Sequence, residues 1–136
     1  MDAVQHIAFN CVDLPRQEAF YTRVFGFRRV RVFNPHASDE FIMLRLGSMC
    51  LELFSAPLEA SSNVTKPPVG FQHLAFEVDD INEKVKELRA AGTETGDIID
   101  CSDHVPEMRV CFFEDPEGNT IELMESWSDD SNPPSS

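Results

Sequence analysis

The chain has 136 residues, 42% of them hydrophobic and 26% charged, a globular composition with no apolar run near the ~20 residues of a membrane span. Eleven basic against 24 acidic residues leave a net charge of −13, which repels nucleic-acid phosphate and anionic lipid, so neither nucleic acid nor membrane is expected as a partner. About 60 residues alone bury only a marginal core, so one compact domain or two intimately packed modules are expected. Any anionic substrate must then be held by local groups, such as a metal or a few arginines.

The N-terminus lacks the basic and apolar regions of a signal peptide, and a cytoplasmic location is expected. Residues 4–12 read as a strand, with Ile7, Phe9 and Cys11 on one face and Val4, His6, Ala8 and Asn10 on the other. Asp13 offers an N-cap, and Pro15 suits a first helical turn. Phe20, Tyr21, Val24 and Phe25 make an apolar stripe, and Gly26 is placed to end that helix. Strands are predicted at 27–33, 40–46 and 49–55, the last two joined by a tight turn at Gly47-Ser48. Residues 58–69, with prolines and small polar side chains, read as a linker.

The pattern then restarts. Phe71 to Val78 is strand-like, and Asp80-Ile81-Asn82-Glu83 resembles a capping box. Ile81, Val85 and Leu88 fall at helical spacing, and Gly92 closes the helix. Strands are predicted at 94–100, 107–114 and 119–125, with Asp115-Pro116-Glu117-Gly118 as the turn between the last two. The polar tail 128–136 reads as disordered. Two βαβββ modules, 1–57 and 70–127, follow from this reading.

The second module repeats the first in its chemistry as well. His6-Ile7-Ala8-Phe9 returns as His73-Leu74-Ala75-Phe76, and Cys50-Leu51-Glu52-Leu53 returns as Thr120-Ile121-Glu122-Leu123. Each His and Glu lies on the strand face opposite large aliphatic neighbours. The aliphatic face should meet the helices, which leaves His6, Glu52, His73 and Glu122 on the other side of the sheet. Any one polar residue there needs only solvent. Four in matched places point to a convergent site, and two imidazoles with two carboxylates suit a divalent Zn, Ni, Co, Mn or Fe ion.

Asn10 and Glu77 share the parity of His6 and His73 and are candidates to line a substrate pocket. Arg45 and Arg109 lie on predicted strands and are candidates to hold a substrate carboxylate or phosphate. His36 and His104 fall in loops. Cys11, Cys50, Cys101 and Cys111 form no C-x-x-C pair, and a disulfide framework is not expected; the first, second and fourth sit in apolar runs as small core residues.

On His6-Ile7-Ala8-Phe9, the helix Ala19-Phe20-Tyr21-Thr22-Arg23-Val24-Phe25-Gly26-Phe27 and the run Glu114 to Leu123, the chain resembles the vicinal oxygen chelate superfamily over nearly all of residues 4–126. This is the glyoxalase and bleomycin-resistance fold. The resemblance implies an α+β architecture in which two βαβββ modules form an incomplete, curled mixed β-barrel around one divalent metal per site. It implies His6, Glu52, His73 and Glu122 as ligands, Glu122 or Glu52 as base, a small-molecule substrate, and a homodimer. The full two-His, two-Glu set resembles that of glyoxalase I enzymes, of lactoylglutathione lyase type. Asn10 and Ala56 depart from the Arg and Asn that similar bacterial enzymes use to hold glutathione. Acyl-thioester epimerases of the methylmalonyl-CoA type also resemble the chain, with Phe41 falling where their second carboxylate base stands. A metal-dependent lyase or isomerase is the expected class, glyoxalase-type chemistry ahead of epimerisation. A non-catalytic protein that binds an antibiotic or another small molecule is the alternative from outside enzymology.

Overall fold

The computed structural model describes residues 1–56, 69–114 and 118–135, together with the backbone but not the side chains of Val24 and Phe25. Most of the predicted linker, the turn residues 115–117 and Ser136 lie outside the described residues. Among the described residues eight strands and two α-helices make the fold class mixed α+β: β1 (Ala3–Cys11), α1 (Leu14–Phe20), β2 (Arg28–Phe33), β3 (Phe41–Leu46), β4 (Met49–Ser55), β5 (Gly70–Glu77), α2 (Ile81–Ala90), β6 (Ile99–Asp100), β7 (Arg109–Glu114) and β8 (Thr120–Glu125). Among the described residues no helix is long and apolar enough to cross a membrane.

The chain forms two compact units, and their division differs from the predicted modules at both ends. One unit is Met1–His6 with His73–Ser128, and the other is Ile7–Gln72 with Asp129–Ser136. The boundary therefore falls inside β1.

In the Ile7–Gln72 unit β2, β3 and β4 form an antiparallel row with β2 at its edge. Asp13 caps α1 by accepting from the Arg16 amide at 3.1 Å. The predicted single helix ends instead as a π-helical turn, Tyr21–Phe25. Gly26, at φ 83°, closes it in the left-handed conformation and donates its N–H to the Thr22 carbonyl, a geometry that favours a residue without Cβ. Val32, Ile42, Leu44, Leu51 and Leu53 form the core of this unit, with Leu14 and Tyr21 packed on them from the helical side. The aliphatic face thus meets the helix, as strand parity requires.

In the unit that holds β8, β5 pairs with β8 in parallel, β8 with β7 antiparallel, and β7 with the two-residue edge β6. Asp80 caps α2 by accepting from the Glu83 amide. Ile81 and Val85 pack on Cys111, Leu123 and Val78. The strand predicted over 94–100 is reduced to Ile99–Asp100 and a bridge between Thr95 and Phe113. Gly96 donates to the Phe112 carbonyl at 2.8 Å, so close that a Cβ would stand 3.2 Å from that oxygen.

The tail departs from the expected disorder, because residues 129–135 lie against β2 and β3. Asp130 donates its N–H to the Val30 carbonyl at 2.7 Å, and Arg29 donates to the Pro134 carbonyl at 2.8 Å.

Candidate metal centre

Three of the four candidate ligands come together within one unit, on the face away from α2. Across β5 and β8, His73 faces Thr120 and Ala75 faces Glu122, so His73 and Glu122 share a face and the small Ala75 stands opposite the carboxylate. β1 supplies His6. His6 is fully buried, His73 is 5% exposed and Glu122 6%. The His6 and His73 Nε2 atoms stand 2.7 Å apart, and Glu122 Oε2 lies 3.2 Å from the first and 2.9 Å from the second. Three donor atoms therefore form a small, buried triangle.

The triangle fits a divalent cation. Donors at neighbouring positions around an ion with bonds of about 2.0–2.1 Å stand roughly 2.9 Å apart in octahedral geometry and about 3.4 Å in tetrahedral. The two edges to Glu122, 3.2 and 2.9 Å, sit in that range, and the edge between the imidazoles, 2.7 Å, is slightly shorter. Neutral imidazole nitrogen with carboxylate oxygen is the ordinary donor set of Zn and of the neighbouring first-row ions.

Gln5 is a candidate site residue that sequence reasoning missed. It is 2% exposed, and its Oε1 is hydrogen-bonded to His6 Nδ1. A carbonyl oxygen accepts, so Nδ1 carries the proton and the lone pair of Nε2 is left to face His73 and Glu122. Strand parity gave no warning of it, because alternation puts Gln5 and His6 on opposite faces. A polar residue directly before a ligand in a buried strand was the available signal.

Glu52 lies in the other unit, on β4. It is buried, directly across from Met43 on β3, and on the face opposite Leu51 and Leu53. With it, two histidines and two glutamates are buried among the described residues.

The four candidate substrate contacts fare differently. Arg109 faces Glu125 on β8, the strand face opposite Glu122, and donates from Nη2 to Glu125 Oε1 at 2.8 Å. Glu125 Oε2 in turn accepts from the Ile81 amide at the start of α2, so Arg109 serves the seat of that helix. Arg45 is on the face of Glu52, and its guanidinium holds Asp129. Asn10 accepts from Gln72 at 2.8 Å. Glu77 shares the face of His73 and is half-buried. His36 and His104 lie in turns, as expected, exposed. Cys11, Cys50 and Cys111 are buried free thiols and Cys101 is partly exposed. Burial pushes the Cys11 and Cys111 thiols up from their ordinary value, which suits packing rather than nucleophilic roles.

A family model described as the Glyoxalase/Bleomycin resistance protein/Dioxygenase superfamily matches residues 3–123. The chain belongs to this superfamily. It is 32% identical to the uncharacterized protein YwkD of Bacillus subtilis over 92% of its length and 98% of that protein. Over 90% of the chain and 90% of the other it is 28% identical to a probable lactoylglutathione lyase of Vibrio parahaemolyticus. Among solved structures, it resembles a variant of Streptomyces coelicolor methylmalonyl-CoA epimerase in complex with 2-nitronate-propionyl-CoA, with a TM-score of 0.72 at 23% identity, covering 97% of this chain and 99% of that one. Methylmalonyl-CoA epimerase from Mycobacterium tuberculosis gives a TM-score of 0.72 at 23% identity, covering 92% of this chain and 88% of that one. These structural likenesses establish the glyoxalase-like fold.

Proposed function

We propose that the protein is a metal-dependent lyase or isomerase that moves a proton next to a carbonyl of a small-molecule substrate. The buried triangle of His6, His73 and Glu122 carries this reading. We assign Glu52 as the fourth ligand, on the duplicated pattern and its burial. A bound divalent cation would polarise the carbonyl and stabilise the negative charge that builds on its oxygen as the α-proton leaves. The two imidazoles hold position, His6 through its bond to Gln5, and their burial keeps competing water away. Glu122, or Glu52 in its place, takes the α-proton onto its carboxylate and returns that proton elsewhere on the substrate.

Within this class we put glyoxalase-type chemistry first. Two histidines and two glutamates are present, and a probable lactoylglutathione lyase is among the sequence relatives. Epimerisation of an acyl thioester is the runner-up, because Phe41 stands where its second carboxylate base is expected.

The test is Glu122→Gln, which keeps size and an oxygen ligand but removes basicity. We expect the variant, saturated with metal, to exchange substrate α-protons with deuterium ~10²–10⁴-fold more slowly than the parent, across a panel of hemithioacetals and acyl thioesters. Parent-like exchange would remove Glu122 as the base. No exchange by the metal-loaded parent on any member of the panel would favour a protein that binds its ligand without turnover.

A further inference from the structure

Arg28 on β2 and Arg45 on β3 stand directly opposite one another. Like charges at facing positions of a strand pair repel, so this pair calls for an anion. The structure supplies one from the chain's own tail. Arg45 Nε and Nη2 donate to Asp129 Oδ2 and Oδ1 at 2.7 and 2.8 Å, a parallel two-bond fork, and Arg28 Nη2 lies 3.6 Å from Oδ2.

The surroundings are those of a ligand-facing surface. Arg45 pairs with Cys50, two residues before Glu52, so both arginines lie on the face that carries Glu52. Further along that face Phe33, Phe41 and Phe54 stack in a row, with ring centroids 4.4 and 4.5 Å apart. An arginine fork at one end and an aromatic row at the other suit an organic acid with an apolar body. Asp129 itself stands outside any helix or strand, and the Arg45–Asp129 pair is partly exposed, at 18% and 27%. Ion pairs so exposed add little stability and are displaceable.

We infer that Arg45 and Arg28 form a carboxylate-binding subsite on the face of Glu52, and that Asp129 is its intramolecular occupant, displaced when a substrate carboxylate arrives. This deepens the proposed function by naming an acidic group in the substrate, and it rests on that reading for the part Glu52 plays. A tethered carboxylate competes at a high effective concentration, so the tail acts as a strap that raises the acid concentration needed to occupy the subsite.

The experiment uses the 136-residue chain stripped of metal and dialysed free of chelator, titrated with malonate and, separately, with inorganic phosphate. Asp129→Asn removes the competing charge and should bind malonate at least tenfold more tightly than the parent. In the parent, malonate should speed hydrogen exchange of the Asp130 amide, which the strap ties to Val30. Adding Arg45→Gln to Asp129→Asn should abolish malonate binding. If that double variant does not fold, the comparison of Asp129→Asn with the parent still decides. Equal malonate affinity in the two, or unchanged Asp130 exchange at saturating malonate, overturns the inference. Phosphate that releases the strap where malonate does not overturns the carboxylate assignment. Metal titration of the same samples is read independently: failure to bind metal with malonate behaviour intact sinks the metal centre and leaves the strap standing.

Discussion

Gln5 and His6 act as a pair at the residue scale, because the Gln5 carbonyl sets which imidazole nitrogen offers its lone pair. Partners of this kind typically contribute ~10–100-fold to metal affinity. Gln5→Leu keeps the volume and removes the acceptor, so we expect roughly a tenfold loss of metal affinity, whereas His36→Ala, in an exposed turn, should bind as the parent does. Nitrogen chemical shifts of the His6 ring should report mixed tautomers in the leucine variant, and Gln5→Glu, which restores an acceptor, should recover the single tautomer. A leucine variant with parental affinity would reduce Gln5 to packing. The candidate ligands were legible because duplication printed His and Glu twice at matched parity. Gln5 was not, since a one-residue offset in a strand hides a contact made by a long side chain folding back on its neighbour. The face of Arg109 was hidden for a related reason: its residue type suits an anion, but only its register against Glu125 tells which face it serves.

At the scale of elements, local chemistry was readable wherever a cap or an alternation stood alone. Asp13 and Asp80 both cap as their positions predict. We expect Asp80→Ala to cost about 1 kcal/mol in chemical denaturation, since the Glu83 amide loses its acceptor at the helix start. A change below a few tenths would mean that the Glu125 contact to Ile81 holds this end alone. Elements failed to be legible where a tertiary partner decides them. Residues 94–100 have strand composition, yet the Gly96 amide is drawn onto the Phe112 carbonyl and only Ile99 and Asp100 pair in regular register. The tail reads as disordered from composition because its binding partners, Arg45, Val30 and Arg29, lie some hundred residues earlier in the sequence.

At the scale of the whole molecule, the division of β1 between the two units has a thermodynamic consequence. The unit that holds the His6–His73–Glu122 triangle is built from Met1–His6 and His73–Ser128, so His6 closes it across a long intervening stretch of chain. We propose that two copies associate, because edge strands such as β6 favour pairing; light scattering that returns the monomer mass across a concentration series would refute this. Metal binding is the stronger lever. A ligand that binds only the folded state stabilises it by about 2.7 kcal/mol at a hundredfold excess over Kd. For a chain of this size that corresponds to a rise of roughly 10 °C in Tm. We expect such a rise with the cognate divalent ion, its reversal by chelator, and its loss in His73→Ala. Amide exchange then tests the role assigned to Glu52. If Glu52 is the fourth ligand, metal should slow exchange in β3 and β4 as well as in β5 and β8, and Glu52→Gln should confine the protection to β5 and β8. Protection of β5 and β8 alone in the parent would restrict the site to His6, His73 and Glu122.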